Sequence, residues 1–123
     1  MKTPDYYLPI MPYLIIDGAN DFLDFLKAVF NAKEEMLVHN EDGSIMHGEV
    51  IIGKAVVMIA QSQQAYKPLP SGMFMEIKDV DKTYNKAIEK GSISLQEPDT
   101  REYGYSAGFQ DPFGNQWWIT NMD

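Results

Sequence analysis

His47 and Glu49 stand two apart in the run Ile45-Met46-His47-Gly48-Glu49-Val50-Ile51-Ile52. The run reads as a strand, and side chains two apart on a strand face the same way. An imidazole beside a carboxylate suits general acid/base work, or supplies two ligands to a divalent ion. Glu76, on a strand expected over Met73 to Ile77, offers a third group. The same three side chains also suit a polar cluster that hydrogen-bonds inside a cleft, or at a dimer seam for His47 and Glu49. Glu76 also reads as a strand-end carboxylate in water. His39 lies beside the acidic turn Asn40-Glu41-Asp42-Gly43 and reads as a surface residue.

The elements that must position these residues follow from periodicity and turn chemistry. A strand is expected over Ile10 to Ile16, then a helix to about Phe30. Phe22, Phe25, Leu26, Val29 and Phe30 fall at helical spacing. Asp17-Gly18-Ala19-Asn20 breaks the strand and supplies cap candidates. Strands are expected at Glu35–His39, Ile45–Ile52 and Ala55–Ala60. Gln61 to Gly72 is the least periodic stretch and reads as a linker. The order then repeats: a strand at Met73–Ile77, and a helix capped by Asp79 that runs to Lys90 and stops at Gly91. Strands follow near Ile93–Glu97, Tyr105–Gln110 and Gln116–Asn121. Ile16 maps to Ile77, Gly43 to Gly104 and Gly53 to Gly114 at one constant offset. The expected architecture is therefore α+β, one domain over residues 1–123. Its first unit spans about 9–60, its linker 61–72 and its second unit about 73–121, each unit being strand, helix, three strands.

Asp111-Pro112-Phe113-Gly114-Asn115 is dense turn chemistry between two β-prone stretches, so it predicts a hairpin. Its second strand carries Trp117 and Trp118 side by side, and these must face opposite ways. Strand alternation sorts Leu14, Ile16, Val56, Met58, Met73, Met75, Ile77, Trp117 and Ile119 to a face under the helices. It sorts Tyr13, His47, Glu49, Val57, Phe74, Glu76 and Trp118 to the other. Tyr103 and Tyr105, in and after the loop before the strand leading to the hairpin, read either as closing over that second face or as ordinary loop and strand aromatics.

Lys and Arg number 10 against 18 Asp and Glu, for a formal charge of −8 spread over both halves of the chain. That balance disfavours nucleic acid and anionic membrane surfaces, which need a basic footprint. Absence of cysteine excludes disulfides, zinc-thiolate sites and cysteine nucleophiles from this chain. No apolar run approaches the length of a membrane span, and Met1-Lys2-Thr3-Pro4-Asp5 lacks a signal-peptide core. A cytoplasmic location is the expectation.

Paired strand-helix-three-strand units with Asp-Pro-Phe-Gly-Asn before the last strand resemble the vicinal oxygen chelate superfamily. That superfamily holds glyoxalase, bleomycin-resistance and extradiol dioxygenase proteins, and the PhnB-like small bacterial members are most similar. The residues carrying the likeness are Pro12 to Asp17, Ile45 to Glu49, Asp79 to Asp81 and Asp111 to Trp118. The resemblance implies two tandem βαβββ units whose curved sheets surround a cup. It implies that metal ligands, where the family has them, fall near Met11, Val57, Gly72 and Trp118. None of these side chains suits such an ion, so no metal and no other cofactor is expected.

The expected function is binding of a small aromatic or cationic molecule in the cup. The ligand-binding candidates are Tyr13, His47, Glu49, Phe74, Glu76, Tyr103 and Trp118. The alternative is a glyoxalase-like lyase or isomerase with a relocated metal or a metal-free acid/base pair, with His47, Glu49 and Glu76 as catalytic candidates. The resemblance also implies a homodimer.

Overall fold

The computed structural model describes residues 2–123. The chain divides into two compact units, the first ending at Leu69 and the second beginning at Pro70. Each is a βαβββ unit. The first holds β1 (Tyr13–Ile16), α1 (Ala19–Phe30), β2 (Lys33–His39), β3 (Ile45–Ile52) and β4 (Ala55–Gln61). The second holds β5 (Gly72–Glu76), α2 (Val80–Glu89), β6 (Ile93–Arg101), β7 (Gly104–Gln110) and β8 (Gln116–Asn121). The sheets have the same order, β1-β4-β3-β2 and β5-β8-β7-β6, with one parallel pair each, β1 on β4 and β5 on β8.

Helix α1 forms because its apolar residues recur on one face. Ala19, Phe22, Leu23, Phe25, Leu26 and Val29 are all buried. Its first amides are satisfied from a distant strand end. Gln61 Oε1 accepts from the backbone N–H groups of Gly18 and Ala19 at 3.2 and 3.0 Å. Asn20 does not cap the helix; it donates to the Gly43 carbonyl and accepts from the Ile45 amide, fixing the β2–β3 turn. Asn31 ends the helix in the left-handed conformation, φ 55°. In the second unit Asp79 occupies the cap position of α2, yet its side chain makes no capping bond. Val80, Tyr84 and Ala87 are the buried face of α2, and Ile88 is exposed.

The hairpin motif of the second unit is built around one carboxylate. Asp111 Oδ1 accepts from the amides of Phe113 and Asn115, both at 2.9 Å, and Oδ2 accepts from Trp117 Nε1 at 2.8 Å. Asn115 Oδ1 then accepts from the Ser71 amide, which ties the turn to the start of β5. Trp117 is buried beside Phe109 in register. The turn is thus an Asx turn whose anchor also satisfies the core indole.

Three expectations need correction. Strand β1 starts at Tyr13, because Ile10 is 86% exposed and Pro12 has no N–H to give a ladder. Strand β6 runs past Pro98 to Arg101, with its register interrupted between Gln96 and Asp99. It is an edge strand, where proline is tolerated. The third concerns faces. Tyr13 pairs with Met58, and Glu49 pairs with Met58. Val56 and Met58 therefore share the face of Tyr13 and Glu49, while Val57 and Ile59 pack towards α1 with Leu14 and Val50. In the second unit Phe74 pairs with Trp118, so the step between units is one residue shorter on the last strand than on the first. Strands β3 and β4 meet through a two-residue turn, Ile52 pairing with Ala55, whereas β7 and β8 enclose five residues between Gln110 and Gln116. A one-residue slip moves every side chain of a strand to the other face.

Candidate functional site

The polar heart of the first unit is Glu49, which has no exposed surface. A buried carboxylate is tolerated only where donors surround it. Three do so. Tyr6 Oη donates to Oε1 at 2.6 Å, Tyr7 Oη donates to Oε2 at 2.5 Å, and His47 Nε2 lies 2.7 Å from Oε2. Burial pushes Glu49 up, but the three hydrogen bonds outweigh it and hold the carboxyl below its ordinary value. The bond to Glu49 pushes the Tyr6 phenol up to about 12, and the same cause raises Tyr7. Both phenols thus keep their protons and Glu49 stays ionised.

The chain continues outward. His47 Nδ1 lies 3.4 Å from Tyr13 Oη, and the two rings are 5.6 Å apart between centroids, tilted by 37°. The bulge that places His47 is visible in the register. Val38 pairs with His47 and His39 with Ile45, so Met46 is the extra residue of β3. Tyr13 is half exposed and lines a cleft of about 470 Å³ with Ile15, Met46, Ala60, Gln61, Gln63 and Tyr66. Every lining residue belongs to the first unit, and none carries a charge. The turn bearing Tyr66 is closed by reciprocal backbone bonds, Gln63 N to Tyr66 O at 2.8 Å and Tyr66 N to Gln63 O at 3.2 Å.

Of the candidate residues read from the sequence, Tyr13, His47 and Glu49 come together in the first unit. Phe74, Glu76, Tyr103 and Trp118 lie in the second. There Phe74 and Trp118 are register neighbours on one sheet face, and Glu76 is on the same face, exposed, two residues along β5. The Trp118 ring lies across Gly108. Tyr103 stands exposed in the turn between β6 and β7. Tyr105 is tied elsewhere, donating to Asp81 at 2.6 Å. Sequence reasoning missed Tyr6, Tyr7 and Tyr66. The pair Tyr6-Tyr7 between Pro4 and Pro9 was a signal, since adjacent aromatics in a proline-flanked segment need a surface to lie on. Tyr66 sits in the stretch read as linker.

The places where the resemblance would put metal ligands do not fit an ion. Met11, Gly72 and Trp118 offer no imidazole or carboxylate, and Val57 points towards α1. Among the described residues, the close His–carboxylate pair His47 and Glu49 has its carboxylate already held by two phenols. Among the described residues no group of three or more His, Cys, Asp or Glu is placed to hold a metal ion, and no helix is long and apolar enough to cross a membrane.

A family model described as Glyoxalase/Bleomycin resistance protein/Dioxygenase superfamily matches residues 8–119. Among curated proteins, the uncharacterized protein Rv0887c of Mycobacterium tuberculosis is 24% identical over 120 residues, covering 88% of this chain and 71% of its own length. Among solved structures, TioX from Micromonospora sp. ML1 superposes with a TM-score of 0.78 at 18% identity, over 95% of this chain and all of its own. FosX from Listeria monocytogenes, a fosfomycin resistance protein solved with Mn(II) and sulfate, gives 0.71 at 18% identity, over 95% and 90%. TnmS3, an antibiotic binding protein from Streptomyces sp. CB03234, gives 0.72 at 17% identity, over 95% and 100%. At these identities the likeness speaks to fold alone.

Proposed function

Because the chain belongs to the Glyoxalase/Bleomycin resistance protein/Dioxygenase superfamily, a fold that hosts both binders and enzymes, we propose that it binds a small planar aromatic molecule in the cleft of its first unit. The observation that carries this is the cleft's lining. Tyr13 and Tyr66 offer ring faces, Ile15, Met46 and Ala60 offer apolar wall, and Gln61 and Gln63 bring amides. About 470 Å³ lies within the usual range for a small-molecule site. The absence of any lining charge favours neutral aromatics over free anions. A cation would find ring faces and neutral oxygens there, but no carboxylate among the lining residues. The description of TnmS3 as an antibiotic binding protein supports a binding role.

The test is calorimetric titration with a panel of planar aromatics. Micromolar binding of some members is expected, weakened about tenfold by Tyr66→Ala, the loss of one ring contact and its buried area. If no member binds, or Tyr66→Ala and Tyr13→Ala leave affinity unchanged, this reading fails. The second reading, a metal-free lyase or isomerase, is favoured by one feature: a buried ionised carboxylate orients His47 as it would a general base. Turnover of a bound panel member that vanishes in His47→Ala would establish it.

A further inference from the structure

We infer that the cleft selects aromatic ligands carrying a hydrogen-bond donor, a phenol hydroxyl foremost, and that Tyr13 reads that donor through a hydrogen-bond chain anchored at Glu49. This rests on the cleft being the binding site.

The direction of the chain follows from its buried end. Glu49 is an ionised acceptor with no proton to give, so the His47 nitrogen 2.7 Å from it, Nε2, must be the donor. A neutral imidazole with its proton on Nε2 presents a lone pair at Nδ1. That lone pair lies 3.4 Å from Tyr13 Oη, so the phenol proton of Tyr13 points to His47. What Tyr13 then turns to the cleft is its oxygen lone pairs. It accepts from a ligand O–H or N–H and has nothing to offer an ether or a carbonyl. Tyr6 and Tyr7 support this polarity from the far side, because each donates its proton to Glu49 and so keeps the carboxylate an acceptor towards His47. The hydroxyl and the ring of Tyr13 therefore do separate work: the ring stacks on any aromatic, the oxygen chooses among them.

A matched pair of probes isolates the choice. 2-Naphthol and 2-methoxynaphthalene have the same ring system, and only the first is a donor. Binding is measured at one fixed, mildly alkaline pH for the wild type, Tyr13→Phe and His47→Ala. The wild type is expected to hold the naphthol about fivefold more tightly, the size of one net hydrogen bond. Tyr13→Phe is expected to bind both probes alike, at the methoxy compound's wild-type affinity. In His47→Ala the gap should shrink, because the Tyr13 proton is freed to turn into the cleft; damage to packing would weaken both probes together instead. Equal wild-type binding of the two probes overturns the donor chain and leaves the aromatic cleft standing. A gap that survives Tyr13→Phe places the donor's partner elsewhere and also overturns it. Failure of both probes to bind removes the cleft reading, and this inference with it.

Discussion

The indole of Trp118 lies flat over Gly108, so close that a Cβ built on the glycine would come within 2.3 Å of Cζ3. The two are register partners on β8 and β7. A missing side chain on one strand makes room for an oversized one on the next, and the ring lies against the Gly108 backbone.

Gly108→Ala is therefore expected to displace Trp118 and to cost about 1–3 kcal/mol, the usual range for overpacking. The check is chemical denaturation together with near-ultraviolet circular dichroism. Combining it with Trp118→Leu should recover part of the loss, since the clash is pairwise. Additive losses in the double variant would mean the strain lies in the backbone.

Trp117→Ala is expected to cost roughly 3–5 kcal/mol as a large core truncation. Trp117→Phe should cost less in volume yet leave Asp111 Oδ2 without its indole donor. An unfolding midpoint unmoved by Trp117→Ala would contradict its burial in the core of the second unit.

The Glu49 cluster sets limits at both ends of the pH scale. Glu49 is held below its ordinary carboxylate value, so its contribution is present above that value and is lost as pH falls through the folded one. Tyr6 is raised from 10.0 to about 12, so its contribution is complete below pH 10.0 and is lost as pH rises through about 12. Denaturation midpoints measured against pH should fall on both sides, and Glu49→Gln should flatten the acid limb at a cost of about 2 kcal/mol near neutrality. Tyrosinate absorbance should show fewer phenols titrating late in Glu49→Gln than in the wild type, Tyr105 remaining raised in both by its bond to Asp81.

Strand β2 is an edge of its sheet, and Met36 and Val38 stand exposed on it. Uncovered edges with apolar side chains invite pairing, and we expect the chain to form a homodimer. Light scattering at micromolar concentration checks this; a monomer mass, or a dimer indifferent to Val38→Lys, would remove β2 from the account.

The units, their element order and the burial of Trp117 were legible because periodicity and turn residues are local signals. Asp-Pro-Phe-Gly-Asn announced a hairpin even before Asp111 was seen to bind Trp117. The face of β4 was not legible, because it depends on register against β1. The equal spacing of Gly53 and Gly114 concealed turns of unequal length. Glu49 could be picked out as a strand carboxylate beside His47, but not the hydrogen bonds it accepts from Tyr6 and Tyr7. Those partners lie more than forty residues away in sequence, in a segment without regular structure, and no periodicity points from one to the other.

Tyr6 and Tyr7 also change what it means to edit the start of this chain. Cutting at residue 8 would strip two donors from a carboxylate that has no exposed surface, so the shortened protein would carry an internal lesion. A long affinity tag, by contrast, only extends a segment that already leaves Lys2 and Thr3 in water. Tagged and untagged preparations should melt alike, whereas a version beginning at Leu8 should melt like Glu49→Gln or lower.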